Sequence, residues 1–443
     1  MKRLLMGMAI LVSAFLGAAD ALANIDNLSN MSVEWMRTGN RNAATDRADA
    51  VIYNPGGITE LDDGIAVNLG NQSMRRRPSH SFDLGAGAGE KSFEQDGDDL
   101  FLPNLYAAYN RDRWALWGGF YIPGGGAVVD YPQGSFTTQL LGTGMLGSTT
   151  MVNGTIPATI TGFSGDWLDA ESIYMTVTLG GTYKLNDWVS VAAGMRYIDA
   201  ETSIKAGMTA QLNVGGTSVS NPVNVDYEQM AYGAGIIIGA DFFPTDKMNI
   251  GIQYQSKVEL DFEIEVNQDD TGMFMAQNGT ETPRDLPAML GLGLGYDLTD
   301  KIYLETNYSY WFQEDADWGE DPSGRDISDM AGDTQSFGLT GTYKWTDFIS
   351  TSLGAVYTDF LWNDRNGYYM ANIGSYEVLY TDNWQVCGGI SWQINKKLEV
   401  NLALARTIWD DADLVYTHPA LGGVTIKTEN ESTILSFGMN LTF

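Results

Sequence analysis

The C-terminal stretch alternates strictly. Leu435, Phe437, Met439, Leu441 and Phe443 fall on one parity, and Ser436, Gly438, Asn440 and Thr442 on the other. A period of two marks a strand with an apolar and a polar face. The same reading places Ile250, Ile252 and Tyr254 opposite Gly251 and Gln253, and Ile302, Leu304 and Tyr308 opposite Glu305 and Asn307. From residue 64 onward the chain repeats one unit: alternating segment, tight polar turn, alternating segment, long polar stretch. The tight turns fall at Asn110-Arg111-Asp112, Leu185-Asn186-Asp187, Pro244-Thr245-Asp246, Leu298-Thr299-Asp300, Trp345-Thr346-Asp347 and Asn395-Lys396. Asn and Asp suit such turns because they tolerate left-handed geometry and bond their own backbone. The long stretches lie near 75–99, 123–170, 206–226, 264–285, 313–333, 361–382 and 410–430. The pattern predicts about fourteen antiparallel strands, with short turns on one side and long loops on the other, as in closed bacterial barrels.

Aromatic residues crowd the turn ends, at Tyr109, Trp114, Tyr183, Trp188, Tyr296, Tyr343 and Trp345. Amphipathic rings settle at the headgroup level of a bilayer, so this row predicts the periplasmic girdle of a transmembrane barrel. Composition agrees: hydrophobic residues are 44% and aromatics 12% of the 443 residues, with 51 glycines. No apolar run after the first residues reaches the roughly 18 residues that a membrane helix needs. Those first residues read as a secretory signal peptide over 1–23, with Lys2 and Arg3, an apolar run from Leu4 to Leu16, and Ala21-Leu22-Ala23 before the cut. The expected destination is the outer membrane of a Gram-negative bacterium, among its lipids and lipopolysaccharide. Terminal Phe443 is the expected signal to the barrel-assembly machinery, and the barrel is expected to be a monomer.

A net charge of −31 speaks against nucleic acid as a partner, since phosphate neutralisation needs basic patches. The single cysteine, Cys387, excludes a disulfide framework. His80 and His418 are the only histidines and both fall in expected loops, so an enzyme with a positioned histidine base is not indicated. The acidic run Glu314, Asp315, Asp317, Glu320, Asp321 lacks the calcium-loop pattern, and neither a metal site nor a cofactor is expected. Arg406 falls on the lipid-facing parity, where an Arg at mid-bilayer costs roughly 2–4 kcal/mol. It must therefore reach the outer rim or follow a bulge.

Residues 24–63 contain no alternating strand and are read as a plug ahead of the barrel, residues 64–443. They carry Arg41-Asn42-Ala43-Ala44 and, further on, Asn54-Pro55-Gly56-Gly57. Later come Pro103-Asn104-Leu105-Tyr106, Gly118 to Pro123, Tyr254-Gln255-Ser256 and Leu286-Pro287. In order and spacing these resemble the FadL family of outer-membrane transporters for long-chain fatty acids and hydrocarbons, over nearly the whole mature chain. Gly56 stands where the family's plug element more commonly has Ala. The resemblance implies a fourteen-stranded barrel, a plug element at Asn54, Pro55 and Gly56, and passive uptake of hydrophobic cargo. It also implies a capture groove in the loop bearing Phe136, Leu140, Leu141, Met145 and Leu146. A kink in the third strand at Pro123, Gly124 and Gly125 would let cargo leave sideways into the membrane.

On the inward parity fall Trp117, Tyr121, Tyr174 and Ile198, together with many glycines such as Gly251, Gly293, Gly338, Gly389 and Gly438. Two readings stand side by side: an apolar duct with space left by the glycines, or packing against the plug. Few charges share that parity, namely Arg196, Lys257, Glu259, Asp261 and Glu305, whereas a porin for polar solutes shows rings of charge. Arg196 and Lys257 are candidates to hold a cargo carboxylate by a charge-assisted hydrogen bond, or to pair with Glu259 or Glu305 and anchor the plug. The alternative function is a general porin for small polar solutes.

Overall fold

The computed structural model describes residues 32–85, 89–123, 125–152, 156–272, 274–418 and 422–443. The expected signal peptide and Gly124 lie outside these residues. The alternation becomes a closed barrel of fourteen antiparallel strands. In chain order the first seven are β1 (Gly64–Arg76), β2 (Asp98–Arg111), β3 (Trp114–Tyr121, continued by Gly125–Tyr131), β4 (Ile156–Asn186), β5 (Val189–Val214), β6 (Thr217–Thr245) and β7 (Met248–Gln255, continued by Asp261–Asp269). The rest are β8 (Ala288–Thr299), β9 (Ile302–Phe312), β10 (Thr334–Lys344), β11 (Ile349–Phe360), β12 (Asn383–Asn395), β13 (Leu398–Trp409) and β14 (Glu431–Thr442). β14 returns to β1 in a ladder from Ala66↔Thr442 to Arg76↔Ser432. Closure matters because an open edge in hydrocarbon leaves N–H and C=O groups with no partner.

The faces predicted for the last strand are the observed ones. Leu435 and Phe437 point outward at 59% and 46% exposure, while Ser436 is buried at 1%. The turn-end aromatics form the girdle, with Tyr109 against Trp114 at 5.6 Å and Tyr343 against Trp345 at 4.6 Å between ring centres. Asp112 holds the β2–β3 turn with a φ of 55°, in the left-handed region that Asp tolerates. Arg406 does face outward, but at the outer rim, where it pairs with Glu431. Across the ladder it lies level with Arg75, both aligned with Thr433, and Arg75 pairs with Asp98 at 2.9 Å.

Two expected loops are largely strand. β4, β5 and β6 run for 31, 26 and 29 residues, against the roughly 9–11 that cross a bilayer. Their outer halves bury Ala206, Met208, Ala210 and Leu212 in an extracellular cap. Gly215 and Gly216, at φ 57° and 93°, make the β5–β6 turn far above the membrane. The small and polar residues at 206–226 hid a strand whose inner face packs on the cap and not on lipid. The cap also contains α3 (Phe136–Met145) and a four-stranded sheet built from Ser79–Phe82, Lys91–Glu94, Ala412–His418 and Gly422–Glu429.

Below the cap, residues 33–60 lie inside the barrel. Helix α1 (Val33–Thr38) is capped by the Ser32 hydroxyl, which accepts from Trp35 N, and stopped by Gly39 at φ 67°. Helix α2 (Ala50–Tyr53) leads into a 3-10 turn, Pro55–Glu60. Arg41 ties the two halves together through two bonds to Asp49, at 3.0 and 2.6 Å, with Asp49 fully buried. The plug runs as an arc along the wall and not down the axis. Its path follows the inward glycines: Val33 sits on Gly438, Arg37 on Gly389, Thr38 on Gly354, Asn40 on Gly338, and Asn42 on Gly293 and Gly251. These glycines therefore do not leave open space. They let plug backbone and side-chain atoms lie where their own side chains would begin.

Candidate functional site

β5 gives the clearest section through the lumen. From the outer end its inward residues include Leu212, Met208, Ile204, Thr202 and Ile198, all buried, and then Arg196. Below Arg196 come Gly194 and Ala192, with the Trp117 ring lying over Gly194 and over Gly180 of β4. The Trp117 indole N–H donates to the Thr182 hydroxyl at 2.9 Å. Tyr121, Tyr174 and Ile198 are each at most 1% exposed and face inward as expected. The lining is therefore apolar for most of its depth and meets one cation near its lower end.

Arg196 is 4% exposed. Nη1 donates to Gln255 Oε1 and Nη2 to the Ser256 carbonyl, each at 2.6 Å. Nε is buried with no hydrogen-bond partner among the described residues. No carboxylate among them lies within ion-pair distance of Arg196. Glu305, one expected partner, instead accepts from Ala43 N of the plug at 3.0 Å. A buried guanidinium whose neighbours are neutral acceptors keeps its charge uncompensated, which favours an anionic or strongly accepting ligand group.

Lys257 does not face the duct. It is one-third exposed and pairs with Asp285 at 2.7 Å. The expectation carried the parity of Gln253 and Gln255 upward, but β7 breaks between Gln255 and Asp261. Beyond the break Val258, Leu260 and Phe262 are the buried, inward residues, while Glu259 and Asp261 are exposed. The signal was in the sequence: Val258, Leu260, Phe262, Ile264 and Val266 alternate with acidic residues on the opposite parity. No lumen would bury so many acids, so the phase had to slip near residue 256.

The plug element sits where β4, β5 and β6 meet the plug. Asn54 Nδ2 donates to the Ala44 carbonyl at 3.0 Å and to Asp241 Oδ2 of β6 at 2.6 Å. The Pro55 carbonyl accepts from the Thr182 hydroxyl at 2.6 Å. A Cβ on Gly56 would lie 2.6 Å from both the Ala240 carbonyl carbon and the Asp241 nitrogen. Backbone cannot yield as a side-chain tip does, so Gly stands here where Ala would not fit.

Four of the five expected capture residues are buried. Phe136, Leu140, Leu141 and Met145, on α3, are 0–7% exposed within the cap core. Leu146 alone is open, at 45%. It lines a groove of about 510 Å³ with Phe82, Leu84, Phe163 and Lys91, whose ammonium lies 5.9 Å from the Phe163 ring centre. Phe82, Leu84 and Phe163 were missed because each sits in a segment too short or polar to stand out. The amino end of α3 is bound by two buried groups: Phe136 N donates to His80 Nε2 and Thr137 N to Glu377 Oε1, at 2.9 and 2.8 Å. Burial alone pushes His80 down to about 3 and is the main cause that pushes Glu377 up to about 7.

The third strand does break where its Pro and glycines suggested. The β2–β3 ladder climbs from Arg111↔Trp114 to Leu105↔Phe120 and stops. Asp99–Asn104 of β2 have no ladder partner on β3 among the described residues. Contact resumes above, where Val128 N donates to Asp99 Oδ1 at 3.0 Å and Asp96 N to the Asp130 carbonyl at 2.9 Å. On the other side Gly125 pairs with Ile173 of β4, so β3 stays attached to that neighbour. The result is a bounded slit in the wall, with Leu100 and Phe101 exposed at 69% and 73% on its β2 side. Pro123 is buried beside it.

Solved structures share this fold. A FadL homologue from Pseudomonas aeruginosa aligns with a TM-score of 0.66 at 16% identity, over 94% of this chain and all (100%) of its own. The Pseudomonas putida toluene transporter TodX aligns at 0.62 and 13%, over 95% and 100%. The Ralstonia pickettii toluene transporter TbuX aligns at 0.53 and 15%, over 95% and 99%. No protein of curated function matches the sequence. The model of one family, described as outer membrane protein transport protein (OMPP1/FadL/TodX), matches residues 14–443. With that match across the barrel and its plug, the chain belongs to the OMPP1/FadL/TodX family of outer-membrane transport proteins.

Proposed function

We propose that this protein takes up hydrophobic molecules passively, with long-chain fatty acids and related amphipathic cargo favoured over plain hydrocarbons. The observation that carries the reading is the inner face of β5, apolar but for Thr202 down to a single buried Arg196 with no carboxylate beside it among the described residues. That arrangement suits an apolar tail above and an anionic head below. The solved relatives named as toluene transporters support a hydrophobic cargo class.

The route we read starts in the groove at Phe82, Leu84, Leu146 and Phe163, where Lys91 offers a charge to an anionic head. It descends past Tyr174, and past Ile198 with Tyr121 on the same level, to Arg196, with Trp117 beneath. It leaves through the slit between β2 and β3, at Pro123 and Gly125, into the membrane. The plug element Asn54, Pro55 and Gly56 closes the way straight down. Phe443, bonded to Ile65 O at 2.9 Å, is read as the mark for the barrel-assembly machinery. The rim pairs Arg75–Asp98 and Arg406–Glu431 are read as facing lipopolysaccharide.

Paired assays test this reading. Liposomes bearing the protein should not swell in sugars. Intact Gram-negative cells that depend on it should accumulate long-chain fatty acid. Swelling in sugars without fatty-acid uptake would make it a porin for polar solutes instead.

A further inference from the structure

The wall is indented at a second place, four strands from the slit and at the same height. The pairs Tyr121↔Thr176, Thr176↔Ile198 and Ile198↔Gly233 form one level row across β3, β4, β5 and β6. Beside Gly233, β7 leaves the sheet. Between Met230↔Glu263 and Ile237↔Gln255 it carries one residue more than β6; Ser256 N still donates to the Ile236 carbonyl at 2.9 Å, but Lys257–Leu260 does not follow the ladder. The stretch slides instead over the inner face of β6. A Cβ on Gly233 would run into the Glu259 carbonyl and lie 2.6 Å from Val258 Cγ1. One on Gly235 would lie 2.8 Å from Val258 Cγ2 and 2.9 Å from Ser256 Oγ. Arg196 of β5 passes over Gly235, where a Cβ would lie 3.4 Å from its Nε, to reach Gln255 and Ser256 of β7 across the strand between them.

This inward fold fills the lumen. Val258, Leu260 and Phe262 pack with Tyr174, Ile198 and Leu286 into a cluster no member of which exceeds 3% exposure. The Tyr174 and Phe262 rings, on β4 and β7, lie 6.1 Å apart. No described plug residue belongs to the cluster, and the plug core is a separate one. The stretch is held from outside by Asp285, 3% exposed at its side chain, which binds Lys257 Nζ at 2.7 Å and accepts from Leu260 N at 3.2 Å and Asp317 N at 3.0 Å. Val258 and Leu286 exchange two further backbone bonds at 2.9 Å.

We propose that Ser256–Leu260 is a second closure of the duct, independent of the plug, that sorts apolar cargo by width and is latched by Lys257 and Asp285. The proposal rests on the uptake reading above. Cargo descending to Arg196 must pass the cluster of Tyr174, Val258, Leu260 and Phe262, so the cross-section there sets what enters. Removing one or two methyl-sized groups from such a contact changes discrimination by roughly tenfold.

The test uses the full chain in intact cells that depend on it, with straight-chain and methyl-branched fatty acids of equal carbon number. Leu260→Ala should raise the branched-to-straight uptake ratio roughly tenfold, and Leu260→Trp should lower it. Asp285→Asn, which leaves the lining untouched, should raise the ratio too. Lys257→Met reads the same latch should Asp285→Asn fail to assemble. An unchanged ratio in Leu260→Ala and in an assembled latch variant, each heat-modifiable on gels like wild type, overturns the proposal. Wild type that admits neither acid overturns the uptake reading itself.

Discussion

The Thr38 carbonyl oxygen occupies the place where a side chain on Gly354 would begin. The same oxygen accepts from Asn40 Nδ2 at 3.1 Å and from the Thr340 hydroxyl, so the plug is locked to the wall at that glycine. Adding bulk there forces backbone apart, where overpacking costs typically 1–3 kcal/mol, about the scale of a local opening. Gly354→Val should give an assembled barrel whose plug leaves its seat, seen as frequent ion-conducting openings in planar bilayers. Gly341→Ala is the control, since its Cβ would meet only Leu304 Cδ2 at 3.6 Å. It should stay as closed as wild type. A silent Gly354→Val channel would show that the glycine seat does not hold the plug.

The two buried groups under α3, His80 and Glu377, predict a pH signature for the cap. Glu377, raised from 4.5 to about 7, holds its proton more tightly folded than unfolded. Its contribution to stability is therefore present below about pH 4.5 and lost as pH rises to about 7. His80, lowered from 6.5 to about 3, acts the other way: its contribution is present above about 6.5 and lost as pH falls toward 3. In wild type the two oppose each other between about 4.5 and 6.5. Glu377→Gln removes one of them, so hydrogen-exchange protection of α3, corrected for intrinsic rate, should decline steadily below about pH 6.5. A profile identical to wild type would remove Glu377 from the account.

Arg196→Ala tests the cargo head. Losing a charged hydrogen bond costs roughly 1.5–3 kcal/mol, so fatty-acid affinity should drop by roughly ten- to a hundredfold. Affinity for a hydrocarbon of similar length should change little. Equal losses for both, by calorimetry in detergent, would assign Arg196 to holding β7 in place and not to cargo.

The sequence carried the barrel and its faces because lipid imposes a strict period of two on every strand, and Leu435 to Phe443 shows it undiluted. Arg196 was legible as an inward cation for the same reason. The outer halves of β4, β5 and β6 were not, since Ala, Thr and Ser against a cap read as loop. Lys257 was misplaced by one bulge, because parity propagates any single slip to every residue beyond it. The cores were harder still. Phe136 and Leu140 read as an open groove, yet they pack beneath it, and which face of a short helix is buried depends on partners distant in the chain. The inward glycines marked contact, and only the plug's path reveals with what.

The most direct test of the account is the slit between β2 and β3. Continuing the ladder past Leu105↔Phe120 would set Pro103 opposite Ile122, so Pro103→Cys with Ile122→Cys can staple the gap. The native Cys387 is buried and does not compete. Fatty-acid uptake by cells that depend on the protein should stop when the bridge forms and return on reduction, while each single cysteine variant behaves like wild type. Undiminished uptake with the bridge complete would contradict lateral exit at this slit.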